Sequence, residues 1–175
     1  MFKPRIALAS MLLLCASALA APAHIESHVP KARAAGQGTF TWFGVRVYDA
    51  ELWVGDKGYQ SGQPFALELH YARKLDGLKI AEASAEQMEK LGLGTPLQRR
   101  GWLARMKEVF PDVKEGTRIS GVYLPAGGAR FYLDGKALAT VPDQDFAAAF
   151  FAIWLDPKTT AKKLRTALLK DAAPR

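Results

Sequence analysis

Beyond its first twenty residues, the hydrophobic pattern of the chain peaks at Phe146–Leu155, which reads Phe-Ala-Ala-Ala-Phe-Phe-Ala-Ile-Trp-Leu and holds no strongly polar side chain. A helix that is apolar on every side is buried on every side. The stretch is also far shorter than the roughly 20 residues needed to cross a bilayer. It predicts a core helix, opened by Asp143 as a cap and stopped before Pro157. Elsewhere the pattern switches between two periods. Phe65, Leu67, Leu69 and Tyr71 alternate with Ala66, Glu68, His70 and Ala72, which predicts a strand with one buried face. Gly36–Val54, rich in aromatic and β-branched residues, predicts two strands, or one long strand bent near Gly44. Thr117–Leu124, Ala129–Leu133 and Lys136–Val141 predict three more, the last two joined by a tight Asp134-Gly135 turn. Helical spacing runs from an Asp76 cap to Leu91, with Ser84 and Gln87 offering a capping box that would restart or kink it. Thr95-Pro96-Leu97-Gln98 opens a second helix whose apolar stripe is Trp102, Leu103, Met106, Val109 and Phe110. A last helix spans about Thr160–Lys170, with Leu164, Leu168 and Leu169 on one side. Short links between strands and helices grouped apart predict an α+β domain, a large antiparallel sheet covered on one face by a layer of helices.

Composition adds a targeting signal. Lys3 and Arg5 precede the apolar run Ile6–Ala20, and small residues follow at 18–20 and 21–23. That pattern predicts a secretory signal peptide over residues 1–23, cut after Ala20 or Ala23, and hence an exported protein, periplasmic or secreted. The only cysteine, Cys15, leaves with it, so the mature chain has no disulfide, thiol nucleophile or thiolate metal site. The net charge of +7 comes from 24 Lys and Arg against 17 Asp and Glu; losing Lys3 and Arg5 leaves 22 against 17, or +5. These charges are scattered, with no block of five or six. They predict a basic surface, not a nucleic-acid site, and point to no protein partner. Residues 24–35 have no period and predict a loose lead, in which His24 and His28, spaced i, i+4, are solvated and hold no metal. The folded domain is expected over 36–170, with a tail at 171–175. No cofactor motif is present.

Three segments in order resemble the chalcone isomerase superfamily, above all its secreted bacterial chalcone isomerase-like members. They are Phe43-Gly-Val-Arg-Val-Tyr-Asp-Ala-Glu-Leu-Trp53, Phe110-Pro-Asp-Val-Lys-Glu-Gly-Thr-Arg-Ile-Ser-Gly-Val-Tyr123, and Phe146 to Arg165 with Phe150-Phe-Ala-Ile-Trp-Leu-Asp-Pro-Lys-Thr159 inside it. The resemblance implies an open-faced β-sandwich with a cleft between sheet and helices. It also implies one of three roles: plant-type isomerase, fatty-acid binder or non-catalytic relative. The isomerases use an arginine where this chain has about Thr39, a threonine near Tyr48, and a tyrosine and an asparagine in the segment matching Gly77–Ser84. Gly77–Ser84 here holds neither, and the chain contains no asparagine.

Fold alone does not fix function, and the unmatched set leaves no catalytic residue to nominate. The reading that follows is a non-catalytic extracytoplasmic domain binding an apolar small molecule such as a fatty acid. Its alternatives are an isomerase of chalcone-like substrates and an accessory protein without ligand. Arg46, Tyr48, Tyr71 and Arg73 are the candidate polar anchors, because a cation beside a phenol suits a carboxylate. Alternation puts Arg46 with Tyr48, and Tyr71 with Arg73, on shared strand faces. Phe146, Phe150, Phe151 and Trp154 form a core row, of which Phe150 and Trp154 are the candidate cavity lining.

Overall fold

The computed structural model describes residues 20–175. Residues 1–19 of the expected signal peptide lie outside the described residues. Six strands form one sheet in chain order, each antiparallel to the next: β1 (Arg33–Trp42), β2 (Val45–Val54), β3 (Phe65–Tyr71), β4 (Arg118–Leu124), β5 (Gly128–Leu133) and β6 (Lys136–Val141). A short α1 (Ala23–Glu26) precedes the sheet. Helices α2 (Gly77–Lys90) and α3 (Pro96–Val109) fill the β3–β4 connection, while α4 (Gln144–Leu155) and α5 (Lys162–Leu168) follow β6. No described helix is long and apolar enough to cross a membrane.

The main core lies between the sheet and helices α2–α5, and α4 is buried along nearly its whole length. Its first turn is fixed by Asp143, whose Oδ1 accepts from the Phe146 N–H at 2.9 Å and whose Oδ2 accepts from Trp102 Nε1 at 3.0 Å. One carboxylate thus caps α4 and ties it to α3. Thr95 and Gln98 form the expected capping box on α3. Helix α2 departs from expectation in two ways. Ser84 donates back to the Ile80 carbonyl within a helix that runs unbroken from Gly77 to Lys90. Its first N–H is met by Asp112 at 2.9 Å, not by the Asp76 side chain.

The opposite sheet face carries a second, smaller core. Ile25 and Val29 are fully buried there against Trp53, Ala66 and Val122. Residues 24–35, expected to be loose, are therefore packed, and β1 starts at Arg33. The lead looks aperiodic because only two apolar side chains, spaced i, i+4, anchor it. His24 and His28 are not solvated either. His24 Nε2 lies 2.9 Å from Ser120 Oγ, and His28 Nε2 lies 2.6 Å from the Tyr132 hydroxyl.

Candidate functional site

The strand register places the candidate residues. Tyr48 on β2 faces Tyr71 on β3 across the ladder, and both point into the helix layer. Trp154 of α4 donates from Nε1 to the Tyr48 hydroxyl at 3.0 Å. Phe40 stacks on Tyr48 at 5.0 Å, Tyr71 meets Tyr48 edge-on at 5.8 Å, and Phe150 lies 5.3 Å from Trp154. Burial pushes both phenols well above their ordinary pKa. Both therefore stay protonated at physiological pH, and the Tyr48 hydroxyl serves as the acceptor for the Trp154 N–H. Four of the six nominated residues, Tyr48, Tyr71, Phe150 and Trp154, therefore meet as one packed aromatic cluster.

The two arginines do not join it. Phe40 pairs with Tyr48 and Thr41 pairs with Arg46, so Val47 is an extra residue on β2. This bulge turns Arg46 to the face opposite Tyr48. There its guanidinium meets the Asp49 carboxylate, which also accepts from Thr39 Oγ1 at 2.7 Å. Burial opposes ionisation of Asp49, but these partners outweigh it and hold the carboxyl below its usual range. Arg73 fails for a different reason: β3 ends at Tyr71, and Arg73 is exposed on the loop beyond.

A cleft of 370 Å³ opens elsewhere, between α4, the outer ends of β3 and β4, and the loop before α5. Phe65, Tyr123 and Phe151 form its aromatic wall. Phe65 stacks on Tyr123 at 4.9 Å and meets Phe151 edge-on at 5.0 Å. Tyr59 closes one side, 5.1 Å from Phe65. At the rim, Arg165 donates from Nε to the Leu155 carbonyl at 2.8 Å, which anchors its guanidinium, and its terminal nitrogens make no hydrogen bond among the described residues. Burial raises the Tyr59 phenol, while Arg165 nearby pulls it the other way. Tyr123 accepts at its hydroxyl from Gln144 Nε2 at 2.9 Å. The lining is mostly apolar and carries one cation, Arg165, and one carboxylate, Asp156; the Arg165 guanidinium is the group that suits the acidic head of an elongated apolar molecule. A smaller depression of 180 Å³ sits on the β5–β6 edge hairpin. Among the described residues, no three His, Cys, Asp or Glu side chains gather as a metal site.

The hydrophobic pattern puts Phe65 and Phe151 in the core and does not show the cleft beside them. Arg165 sits on the polar side of the last helix, and only the turn at 156–161 folds it back toward α4. The Asp156-Pro157 pair that opens that turn is the signal the sequence carries.

Residues 22–170 match the family model for chalcone isomerase-like proteins. The chain belongs to the chalcone isomerase-like family. This chalcone isomerase-like chain is 30% identical over 135 residues to an uncharacterized protein of Haemophilus influenzae, covering 77% of its own length and 66% of that protein's. In three dimensions it resembles the crystal structure of a fatty-acid binding protein of Arabidopsis thaliana, with a TM-score of 0.64 at 13% identity. That match covers 82% of this chain and 89% of the plant protein, and it establishes the shared fold.

Proposed function

We propose that this chain is an exported, non-catalytic chalcone isomerase-like domain that holds an apolar small molecule with a carboxylate head, such as a fatty acid. The observation that carries the reading is the cleft of 370 Å³ walled by Phe65, Tyr123 and Phe151, with Arg165 anchored at its rim. Its volume falls within the roughly 300–1,000 Å³ common for small-molecule sites. The fatty-acid binding relative supports the ligand class. The charged start and apolar run of residues 1–20 support export. Ligand anchoring thus moves from Arg46 and Arg73 to Arg165.

Native mass spectrometry of the purified protein, followed by titration with a long-chain fatty acid and the matching alcohol, tests the reading. Arg165→Gln is expected to weaken the acid by about tenfold or more, the usual worth of a charge-assisted hydrogen bond, and to leave the alcohol nearly unchanged. Equal loss for both, or no binding by the wild type, sinks it. N-terminal sequencing of the exported chain tests localisation. Ala21 packs in the smaller core, and the Pro22 carbonyl accepts the N–H groups of Ile25 and Glu26, so Ala21 is the expected first residue.

A further inference from the structure

The turn between β1 and β2 holds Trp42, Phe43, Gly44 and Val45, and its apolar side chains project into solvent. Phe43 is 90% exposed, Trp42 60% and Val45 48%. Single exposed apolar residues need no explanation, but three on one protruding tip do. The backbone sharpens the point. Phe43 and Gly44 have φ of 48° and 77°, the pattern of a tight hairpin turn with both central residues left-handed. Asn, Asp or Gly normally fills the first of these positions, and a bulky side chain there costs free energy. The β5–β6 turn of this same chain meets the demand with Asp134 and Gly135, at 49° and 79°. At the β1–β2 tip, a strained backbone holds an aromatic ring in water. Phe43 meets the Trp42 ring edge-on at 5.0 Å yet buries little of itself by doing so, and strain kept in place at so exposed a ring is a mark of functional positions.

The surroundings are basic. The Ala72 N–H donates to the Val47 carbonyl at 2.9 Å, so the chain that continues into Arg73 and Lys74 leaves the sheet beside the start of β2. Both side chains are exposed, and neither forms an ion pair among the described residues. Arg46 lies nearby, its charge shared with Asp49.

We propose that the Trp42-Phe43-Gly44-Val45 tip docks the domain onto an anionic lipid surface, with the rings entering the headgroup boundary and Arg73 and Lys74 meeting lipid phosphates. Trp at a membrane interface keeps its ring among acyl chains and its N–H in water. Each cation near an anionic surface adds to the attraction. A protruding apolar point suits a yielding lipid interface better than a protein partner, which needs a broader matched surface. The proposal is independent of the cleft: it concerns where the domain sits, not what it holds.

The test is co-sedimentation of the naturally processed protein with vesicles of phosphatidylcholine alone or mixed equally with phosphatidylglycerol. The wild type is expected to sediment with the anionic vesicles and much less with the neutral ones. Phe43→Gly is expected to cut vesicle binding about tenfold, the worth of burying one large apolar side chain, with an unfolding midpoint equal to or above wild type because the strained position is relieved. Arg73→Gln with Lys74→Gln should erase the preference for anionic vesicles. No sedimentation of the wild type, or undiminished binding by both Phe43→Gly and Trp42→Ala, overturns the proposal. So does tip-dependent self-association in gel filtration without vesicle binding, which would make the tip a contact between protein copies.

Discussion

A single hydroxyl joins the two layers at Tyr48. It accepts the Trp154 N–H across the interface between β2 and α4, and both rings are packed among others. Tyr48→Phe keeps the ring and strands the indole N–H, which is expected to cost about 1–3 kcal/mol, the penalty of a buried donor left unmet. Trp154→Ala removes the ring as well and is expected to cost about 3–5 kcal/mol. Urea midpoints of the two variants check the order; a Tyr48→Phe midpoint equal to wild type would show that the bond adds nothing. The aromatic row itself was legible in the sequence, because an all-apolar helix has nowhere to go but inside. The partner of Arg46 was not. Period-two alternation assigns Arg46 and Tyr48 to one face, and a single inserted residue, Val47, reverses that assignment. Nothing in the local composition marks the bulge, since it is fixed by how β1 pairs.

At the scale of elements, the least obvious feature in the sequence is how α5 seats on β1. Gly36 and Gly38 read as punctuation around a strand. In the fold they are where the helix lands. A Cβ on Gly36 would lie 2.0 Å from the Ala167 carbonyl oxygen, and one on Gly38 would lie 2.9 Å from Leu164 Cδ1. The first obstacle is backbone and cannot yield; the second is the end of a flexible side chain. Gly36→Ala is therefore expected to displace α5 and destabilise by more than the ~1–3 kcal/mol usual for overpacking, and Gly38→Ala by less than Gly36→Ala. Denaturant midpoints give the ranking, and amide exchange in α5 shows whether the helix has lifted. Because α5 also carries Arg165, Gly36→Ala should weaken acid binding in the cleft in step with that lifting. Apart from α1 and the first residues of β1, the strands, helices and hairpins were readable from period and caps, whereas landing sites required the register.

Across the whole molecule, the N-terminal segment makes the sheet two-sided, and its hold depends on pH. Ile25 and Val29 supply the apolar contact, and His24 and His28 supply the polar one, at Ser120 and Tyr132. Ser120 in turn donates to the buried Glu68 at 2.8 Å, and Arg118 donates to the other oxygen of that carboxylate at 3.1 Å. Both histidines are held below their ordinary pKa. Burial is the main cause for each; Glu68 partly opposes it at His24, while Arg130 and then His24 add to it at His28. A lowered histidine pKa means that the unfolded chain binds more protons than the folded one as pH falls through about 6.5. Stability is thus fully present above that value and declines below it. Glu51, on the same face, has its carboxyl raised by burial and by Glu68, so its contribution runs the opposite way and is lost as pH rises above the usual carboxylate range. The histidine effect is cleanest above that range. Unfolding midpoints measured between pH 7.5 and 5.5 (bounds set roughly one unit either side of the ordinary histidine value) should fall for the wild type. They should fall less for the double variant His24→Gln, His28→Gln, whose amides can still bond Ser120 and Tyr132 but do not titrate. Exchange of the Ile25 and Val29 amides should rise first on acidification, since the titrating histidines lie on this same short segment. An equal decline in wild type and double variant would place the pH dependence elsewhere in the molecule.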